Sequence, residues 1–169
     1  MPKNLEIKAR YASLAAARRI ARSIEARFAG TLRQTDTYFK VRRGRLKLRE
    51  INRKRLELIY YRRENARKNR YSNYSVLQLP DADASKRLLR SVFESSVVVK
   101  KKRELYLYKN SRIHIDHVER LGGFIEFEVL VVHGKRQAQV LMAYLRRKFA
   151  IDSSSLIAGS YSDMILRKK

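Results

Sequence analysis

Residues 4–11 read NLEIKARY, and the interpretation of this stretch decides the fold. Side chains of a β-strand alternate between two faces, so a strand here sorts its residues into two sets. The apolar face carries Leu5, Ile7 and Ala9. The polar face carries Asn4, Glu6, Lys8 and Arg10. Because the polar face contains both signs of charge, the sequence raises the question of whether that face points to solvent or to an enclosed interior.

The composition limits the class of protein. With 169 residues, 44% of them hydrophobic, the chain is long enough to bury a core, and we expect a single domain over residues 1–169. The absence of cysteine excludes disulfides, thiolate zinc sites, iron–sulfur clusters and a cysteine nucleophile. Neither a signal-peptide core nor a run of roughly 18 apolar residues is present in the sequence. We therefore expect a soluble cytoplasmic protein with no membrane partner.

The net charge is the most unusual property of the composition. Forty Lys and Arg residues stand against 16 Asp and Glu residues, which gives a formal charge of +24. A field of this sign attracts polyanions such as nucleic acid, polyphosphate, nucleotides or anionic lipid. Residues 40–70 hold many of the bases and only three acids, Glu50, Glu57 and Glu64. Charge alone leaves two interpretations open, a solvated surface without a ligand and a polyanion-binding surface.

Four segments have helical signals. Residues 13–29 show apolar side chains at spacings of three and four behind a Ser13 cap, which predicts an amphipathic helix that Gly30 ends. The same signals predict helices over residues 83–95 and 135–149. Residues 161–165 are predicted to form a final helical turn or a short strand.

Alternation and β-branched or aromatic content predict six further strands, giving about seven, joined mostly by short antiparallel connections. They are TDTYFKV (35–41), GRLKLREI (44–51), RLELIYYRRE (55–64), SVVVKKKRELYLY (96–108), RIHIDHVE (112–119) and FIEFEVLVV (124–132). Residues 65–83, with Asn, Ser and Pro80, are interpreted as the longest loop.

Several of these strands carry a charged face. The sets on one face are Arg45, Lys47 and Arg49; Tyr60 and Arg62; Lys101 and Arg103, or alternatively Lys100 and Lys102; and Glu126 and Glu128. On an ordinary sheet such a face is solvated. If the sheet curls into a closed barrel with helices outside, the charges line its interior. A cavity with carboxylates on one wall and cations on the others fits a polyphosphate held between protein cations and a carboxylate-bound Mg²⁺ or Mn²⁺.

Six motifs in order over residues 4–166 make the chain resemble the CYTH, or triphosphate tunnel metalloenzyme, superfamily. They are NLEIKARY, QTDTYF followed by GRLKLRE, LIYYRRE, VVKKKRELY, IHIDHVERLGGFIEFEV and SYSDMIL. The resemblance implies an α+β fold, a closed or nearly closed antiparallel eight-stranded β tunnel with helices packed outside. It also implies a divalent metal, Mg²⁺ or Mn²⁺, and chemistry on triphosphate compounds, as in class IV adenylyl cyclases, thiamine triphosphatases and inorganic triphosphatases.

The same resemblance implies roles for individual residues. The family motif Glu-x-Glu-x-Lys falls on Asn4, Glu6 and Lys8, so the first glutamate is replaced by a neutral amide. We expect this change to weaken metal binding, above all for a second metal. The implied metal ligands are Glu6, Glu126 and Glu128, with Asn4 and with Asp116 as an additional acid. The implied phosphate-binding residues are Arg45, Lys47, Arg49, Arg62, Lys101 and Arg103. Lys8 is expected to position or activate the nucleophile.

Three functions remain open at this stage. A hydrolase would use water to attack the terminal phosphoryl group, whereas a cyclase would use the ribose 3′-hydroxyl of ATP. Hydrolysis is favoured because it requires fewer recognition elements. The third function is a catalytically weak domain that binds RNA or polyphosphate on its basic surface.

Other kinds of site are disfavoured. A glycosidase pair is disfavoured because the neighbouring cations would lower both carboxyl pKa values. A histidine metal site is disfavoured because His114 and His117, three residues apart on a strand, face opposite ways.

Overall fold

The computed structural model describes residues 3–63 and 70–167. Eight antiparallel strands form a closed barrel in the order β1-β5-β4-β3-β2-β6-β7-β8. The strands are β1 (Lys3–Arg10), β2 (Arg27–Phe39), β3 (Arg45–Ile51), β4 (Arg55–Arg63), β5 (Arg70–Leu79), β6 (Ser95–Tyr108), β7 (Ser111–Val118) and β8 (Gly122–Leu130). The first strand closes the barrel because it pairs with β5 on one side and with β8 on the other. The predicted α+β tunnel is confirmed.

Within the described residues four helices accompany the barrel, α1 (Leu14–Ser23), α2 (Ala82–Val92), α3 (Lys135–Lys148) and α4 (Tyr161–Leu166). Helices α1 and α3 pack on the outer apolar face of β1, β7 and β8, where Phe127 and Phe149 lie with ring centroids 5.0 Å apart. Helix α2 covers β3 and β4 through Leu89. The barrel wall is thus apolar outside at these helices, which leaves its polar face for the interior.

Helix α4 occupies one end of the barrel. It begins with a capping box in which the Ser160 side chain and the Asp163 side chain each bond the other residue's backbone N–H. Tyr161 and Ile165 pack with inward-facing apolar residues of the strands, among them Val99 and Phe124. An apolar layer therefore fills this end, and the charged part of the interior lies beyond it.

The C-terminal boundary of helix α1 differs from the sequence prediction. Helix α1 begins after Ser13, whose side chain accepts a hydrogen bond from the Ala16 backbone as predicted. It ends at Ser23 and not near Gly30, because Glu25 adopts a left-handed φ of 60° that a helix does not continue through. Phe28 lies instead on the outer face of β2, against Tyr106.

The predicted loop over residues 65–83 is wrong where the structure describes it. Residues 70–79 form β5, which pairs with β4 and with β1, and α2 begins at Ala82. Residues 65–69 of that prediction lie outside the described residues. The strand was missed because its Asn and Ser residues suggest a turn, and because Val76 and Leu77 break the simple alternation of apolar and polar residues.

Candidate functional site

The polar face of β1 points into the barrel. Glu6 and Lys8 are buried, and they line a cavity of about 470 Å³ to which all eight strands contribute. Ser160 and Tyr161 add to the lining from the end that α4 occupies. The two signs of charge in NLEIKARY are therefore explained by an enclosed interior.

Three glutamates of this lining come together. Oxygen atoms of Glu6, Glu126 and Glu128 lie within 4.8 Å of one another, close enough for one cation to bind all three after small side-chain adjustments. The pairing of β1 with β8 produces the cluster, since it sets Glu6 opposite Glu128 and Lys8 opposite Glu126. The structure thus brings together the three glutamates that were predicted from the sequence.

The glutamates have different electrostatic environments. Burial raises the pKa of Glu128, and the negative charges of Glu126 and Glu6 raise it further, against an opposing effect of Arg103. For Glu126 burial acts in the same direction, but Lys8 and Arg103 outweigh it and hold its pKa well below the usual range. The Lys8 Nζ atom lies 3.7 Å and the Arg103 Nη2 atom 2.8 Å from Glu126 oxygens. Of these two glutamates, Glu128 is therefore the one whose negative charge a bound cation would stabilise more.

Asn4 lies beside this cluster on the inward face of β1. It is buried, and its Oδ1 atom has no hydrogen-bond partner among the residues that the structure describes. The buried Gln34 Oε1 and His114 Nδ1 atoms also lack a partner within that part of the chain. All three residues line the same cavity. Buried polar atoms normally form hydrogen bonds. The three atoms that lack a partner therefore indicate that this cavity accepts a polar ligand or a cation.

The opposite wall is organised around Asp36, which the sequence analysis did not select. Arg49 donates two hydrogen bonds to this carboxylate, at 2.7 and 2.8 Å, and the ammonium groups of Lys47 and Lys101 lie 3.1 and 3.8 Å away. Burial alone would raise the pKa of Asp36, but the three cations lower it well below its ordinary value. Asp36 thus holds three basic side chains in place along the cavity.

Asp116, like Asp36, is a buried carboxylate that pairs with a basic side chain. Arg103 donates to both of its oxygens at 2.7 Å, and the Tyr161 hydroxyl donates a third hydrogen bond at 2.8 Å. It is fully buried and does not belong to the glutamate cluster. In the structure Asp116 is the ion partner of Arg103 and lies outside the glutamate cluster to which it was predicted to add a metal ligand.

Lys101 and Lys8, both in the cavity lining, have different electrostatic surroundings. Burial and the positive charge of Arg103 lower the pKa of Lys101 well below its ordinary value, although Asp36 opposes this effect. Lys8 lies between Glu126 and the ring of Tyr161, with its Nζ atom 4.0 Å from the ring centroid. Tyr161 was not selected from the sequence, because its place in the barrel depends on how α4 packs.

Two of the predicted phosphate-binding residues, Arg62 and Arg45, do not line the cavity. Arg62 is exposed on the outer face of β4, where its Nε atom donates to the Tyr60 hydroxyl at 2.9 Å, so its predicted place in the tunnel is wrong. The inward face of β4 carries Ile59 and Tyr61 instead. Arg45 is half-buried next to α4, where it binds Asp163 at 2.9 Å and also the Ser160 hydroxyl.

These features define a closed β tunnel with facing acidic and basic walls. A family model described as the CYTH domain matches residues 2–161. The match spans nearly the whole chain, and the protein belongs to the CYTH family.

Solved structures with this fold show the same architecture at low sequence identity. A protein of Pyrococcus horikoshii is 22% identical, with a TM-score of 0.86 over 95% of this chain and 98% of that chain. A proposed adenylate cyclase from Vibrio parahaemolyticus is 17% identical, with a TM-score of 0.77 over 96% and 97% of the two chains. A proposed adenylyl cyclase from Hippeastrum with a dominant triphosphatase activity is 14% identical, with a TM-score of 0.66 over 99% and 96%. A search of curated protein sequences finds no match.

Within residues 3–63 and 70–167, no helix is both long enough and apolar enough to cross a bilayer.

Proposed function

We propose that the protein is a metal-dependent triphosphatase, which hydrolyses the terminal phosphoanhydride bond of a triphosphate compound. The observation that carries the proposal is the juxtaposition of a carboxylate cluster and an ordered set of cations across one cavity inside the barrel. Phosphoryl transfer requires mainly positioning and neutralisation of charge, and this arrangement supplies both.

The carboxylate wall would hold the metal. Glu6, Glu126 and Glu128, with the amide oxygen of Asn4, offer the oxygen donors that Mg²⁺ and Mn²⁺ bind. When bound, such an ion neutralises charge on phosphoryl oxygens. Asn4 contributes an oxygen but no charge, so the site suits one tightly bound ion better than two.

The opposite wall would bind the phosphate chain. A guanidinium has five N–H donors, and Asp36 occupies two of those of Arg49. Asp116 and Glu126 together occupy three of those of Arg103. The remaining donors of each arginine, with Lys47 and Lys101, line the cavity and are available to phosphate oxygens. The aspartates therefore fix the cations before the substrate arrives, which reduces the reorganisation that binding requires.

We assign Lys8 to the positioning of the attacking water, because its ammonium group lines the cavity 3.7 Å from a Glu126 oxygen, next to the glutamates that would hold the metal. The water oxygen forms a bond to the terminal phosphorus, and the bond from that phosphorus to the bridging oxygen breaks. Orthophosphate and the shortened phosphate chain leave, and one proton of the water is released to solvent. A cyclase would instead release pyrophosphate and form cyclic AMP.

The test measures phosphate release from tripolyphosphate, thiamine triphosphate and ATP with Mg²⁺, Mn²⁺ or a chelator, together with cyclic AMP and pyrophosphate. We expect metal-dependent phosphate release that falls by about 10³-fold in a Glu126→Gln, Glu128→Gln double variant, because several kcal/mol of charge stabilisation are lost. A matched double variant of exposed acids, Glu94→Gln with Glu119→Gln, should retain the parent rate. Cyclic AMP as the main product from ATP would support the cyclase and contradict the triphosphatase.

A second candidate function is RNA binding on the outer surface. Arg33 of β2 lies opposite Lys102 of β6, which lies opposite His117 of β7, and all three side chains are exposed. Basic groups directly opposite one another destabilise a sheet, so this row does not serve the fold. Lys100 and Arg53 line the same surface hollow. The row is suited to the phosphate backbone of a nucleic acid.

Binding of a labelled RNA duplex at several salt concentrations tests this candidate. An Arg33→Gln, Lys102→Gln double variant should bind more weakly and reduce the salt slope by about 2, one for each lost phosphate contact. The matched control is Lys135→Gln with Arg136→Gln on α3, where both residues are exposed. Equal weakening in both double variants would show that the charge of the whole protein, and not this row, attracts RNA.

A further inference from the structure

His114 is a buried histidine of the tunnel that the proposed reaction does not yet use. It lies on the inward face of β7, opposite Glu126 of β8 and Leu105 of β6. Its side chain is 5% exposed, and its Nδ1 atom has no hydrogen-bond partner among the described residues. A buried polar atom of this kind requires an explanation, because leaving it unsatisfied costs about 1–3 kcal/mol.

The nearest acidic atom indicates what would satisfy it. His114 Nδ1 lies 3.9 Å from Glu128 Oε1, which is too long for a hydrogen bond. Two atoms can bind one cation if their separation does not exceed about twice a metal–ligand bond of about 2.1 Å, and this separation meets that condition. Glu128 is also a member of the glutamate cluster, whereas His114 lies outside the group of donor atoms that are within 4.8 Å of one another, so its ring must shift towards Glu6 and Glu126 for all four residues to bind one ion.

The other unsatisfied atoms support the same interpretation. Four buried side-chain atoms lack a partner in the part of the chain that the structure describes, those of Asn4, Gln34, His114 and Arg146. Three of the four, from Asn4, Gln34 and His114, line this one cavity. The buried atoms that lack a hydrogen-bond partner in the described part of the chain are therefore concentrated in this cavity. They lie at the glutamate cluster and opposite it, and are not scattered through the core.

We infer that His114 Nδ1 is a nitrogen ligand of the cation held by the glutamates, so that the site has a mixed nitrogen and oxygen donor set. This inference rests on the metal site of the proposed function. Imidazole is a softer donor than carboxylate, and Mg²⁺ prefers oxygen ligands, whereas first-row transition ions accept both. The site should therefore select Mn²⁺ over Mg²⁺, and His114 is the residue that determines this preference.

The direct test detects the nitrogen without any substitution. Pulsed electron paramagnetic resonance of Mn²⁺ bound to the full chain should show a ¹⁴N coupling that changes to a ¹⁵N coupling when the protein is grown with ¹⁵N-labelled histidine. Three histidines are present in the sequence, and His114 is the buried one. Bound Mn²⁺ with no histidine nitrogen coupling would overturn the inference.

A substitution measures the size of the effect. His114→Gln should weaken Mn²⁺ binding by at least about tenfold and change Mg²⁺ binding by less than about twofold. His133→Gln is the matched control, since His133 is exposed and does not line the cavity. Equal Mn²⁺ affinity in both variants would contradict the inference.

The failure of this inference can be distinguished from a failure of the proposed function. If Mn²⁺ binds without a nitrogen ligand and is lost in the Glu126→Gln, Glu128→Gln variant, the glutamate site stands and the role of His114 falls. If Mn²⁺ binding is unaffected by that double variant, the metal site of the proposed function falls as well.

Discussion

The tunnel contains two groups of buried carboxylates whose charges are balanced in different ways. Asp36 and Asp116 are each enclosed by cations, and the pKa of each is lowered despite burial. Glu6 and Glu128 lie directly opposite one another, with Glu126 beside them, and the pKa of Glu128 is raised. The first group is complete without a ligand and holds the protein together. The second group is only partly balanced, because Lys8 and Arg103 lower the pKa of Glu126 whereas the pKa of Glu128 stays raised, and this is the property expected of a binding site.

The largest expected effect on stability comes from a substitution in the first group of carboxylates, Asp36 and Asp116. Asp36→Asn removes the charge that balances Lys47, Arg49 and Lys101, and leaves buried cations without compensation. We expect a loss of about 3–5 kcal/mol in the free energy of unfolding, measured by urea denaturation. Glu57→Gln is a matched change on the same cavity, where Glu57 pairs with an exposed Arg55, and it should cost less than about 1 kcal/mol. Similar losses in the two variants would contradict the special position of Asp36.

The next effect concerns the dependence of stability on pH. Burial would raise the pKa of Asp116, but Arg103 outweighs it and lowers the pKa from 3.8 to about 2. A lowered pKa stabilises the fold fully above the unfolded value and loses that stabilisation as the pH falls toward the folded value. The difference corresponds to about 2.5 kcal/mol.

Urea unfolding of the parent and of Asp116→Asn should therefore differ by about this amount at neutral pH. The two stabilities should converge as the pH falls from about 4 toward about 2. A difference that does not depend on pH would indicate that the substitution acts by misplacing Arg103 and not by removing the charge.

A smaller effect on stability, of opposite sign, is expected for a substitution in the second group of carboxylates, Glu6, Glu126 and Glu128. Glu128→Gln removes a like charge that lies directly opposite Glu6, so in the presence of a chelator the variant should be more stable than the parent by about 0.2–1 kcal/mol. Thermal unfolding with and without Mn²⁺ measures it. With Mn²⁺ the order of stability should reverse, because the variant has lost a ligand. A variant that is less stable than the parent in chelator would show that Glu128 is structural, as Asp36 is.

The smallest effect is expected outside the tunnel. Arg62 lies on the outer face of β4, exposed to solvent, so Arg62→Gln should change stability by less than about 0.5 kcal/mol and leave phosphate release at the parent rate. Lys47→Gln, an inward-facing basic residue, serves as the comparison and should reduce phosphate release by at least about tenfold. An equal reduction in both variants would mean that a phosphate group reaches the outer face.

Alternation in the sequence predicted the inward faces of β1, β3 and β8 because each of these strands has one clearly charged face. It failed on β4, where both faces are partly apolar: Leu56 and Leu58 pack towards α2, while Ile59 and Tyr61 line the cavity. The pattern therefore did not fix which set faces inward. Alternation grouped Arg62 with Tyr60, and the family resemblance then implied a phosphate-binding role in the tunnel for it.

The two aspartates show a different limit of sequence interpretation. Asp36 is important because strand pairing sets it opposite Arg49, and Asp116 because pairing sets it opposite Arg103. Both partners come from other strands, 13 residues away in each case. The sequence shows the residue types, but only the register shows that each aspartate is neutralised by its neighbour. The glutamate cluster was easier to predict, because Glu126 and Glu128 are two residues apart on one strand.

The closing of the barrel by β1 also has a consequence for the folding of the chain. Leu5 pairs with Val129, so the ladder that completes the barrel joins residues from distant parts of the sequence. Contacts of such long separation form slowly, because loop entropy is lost before they contribute stability. Glu6 meets Glu126 and Glu128 only where this ladder is formed. Ion binding at the cluster would therefore require the closed barrel, and it would stabilise that state relative to any state in which β1 is detached.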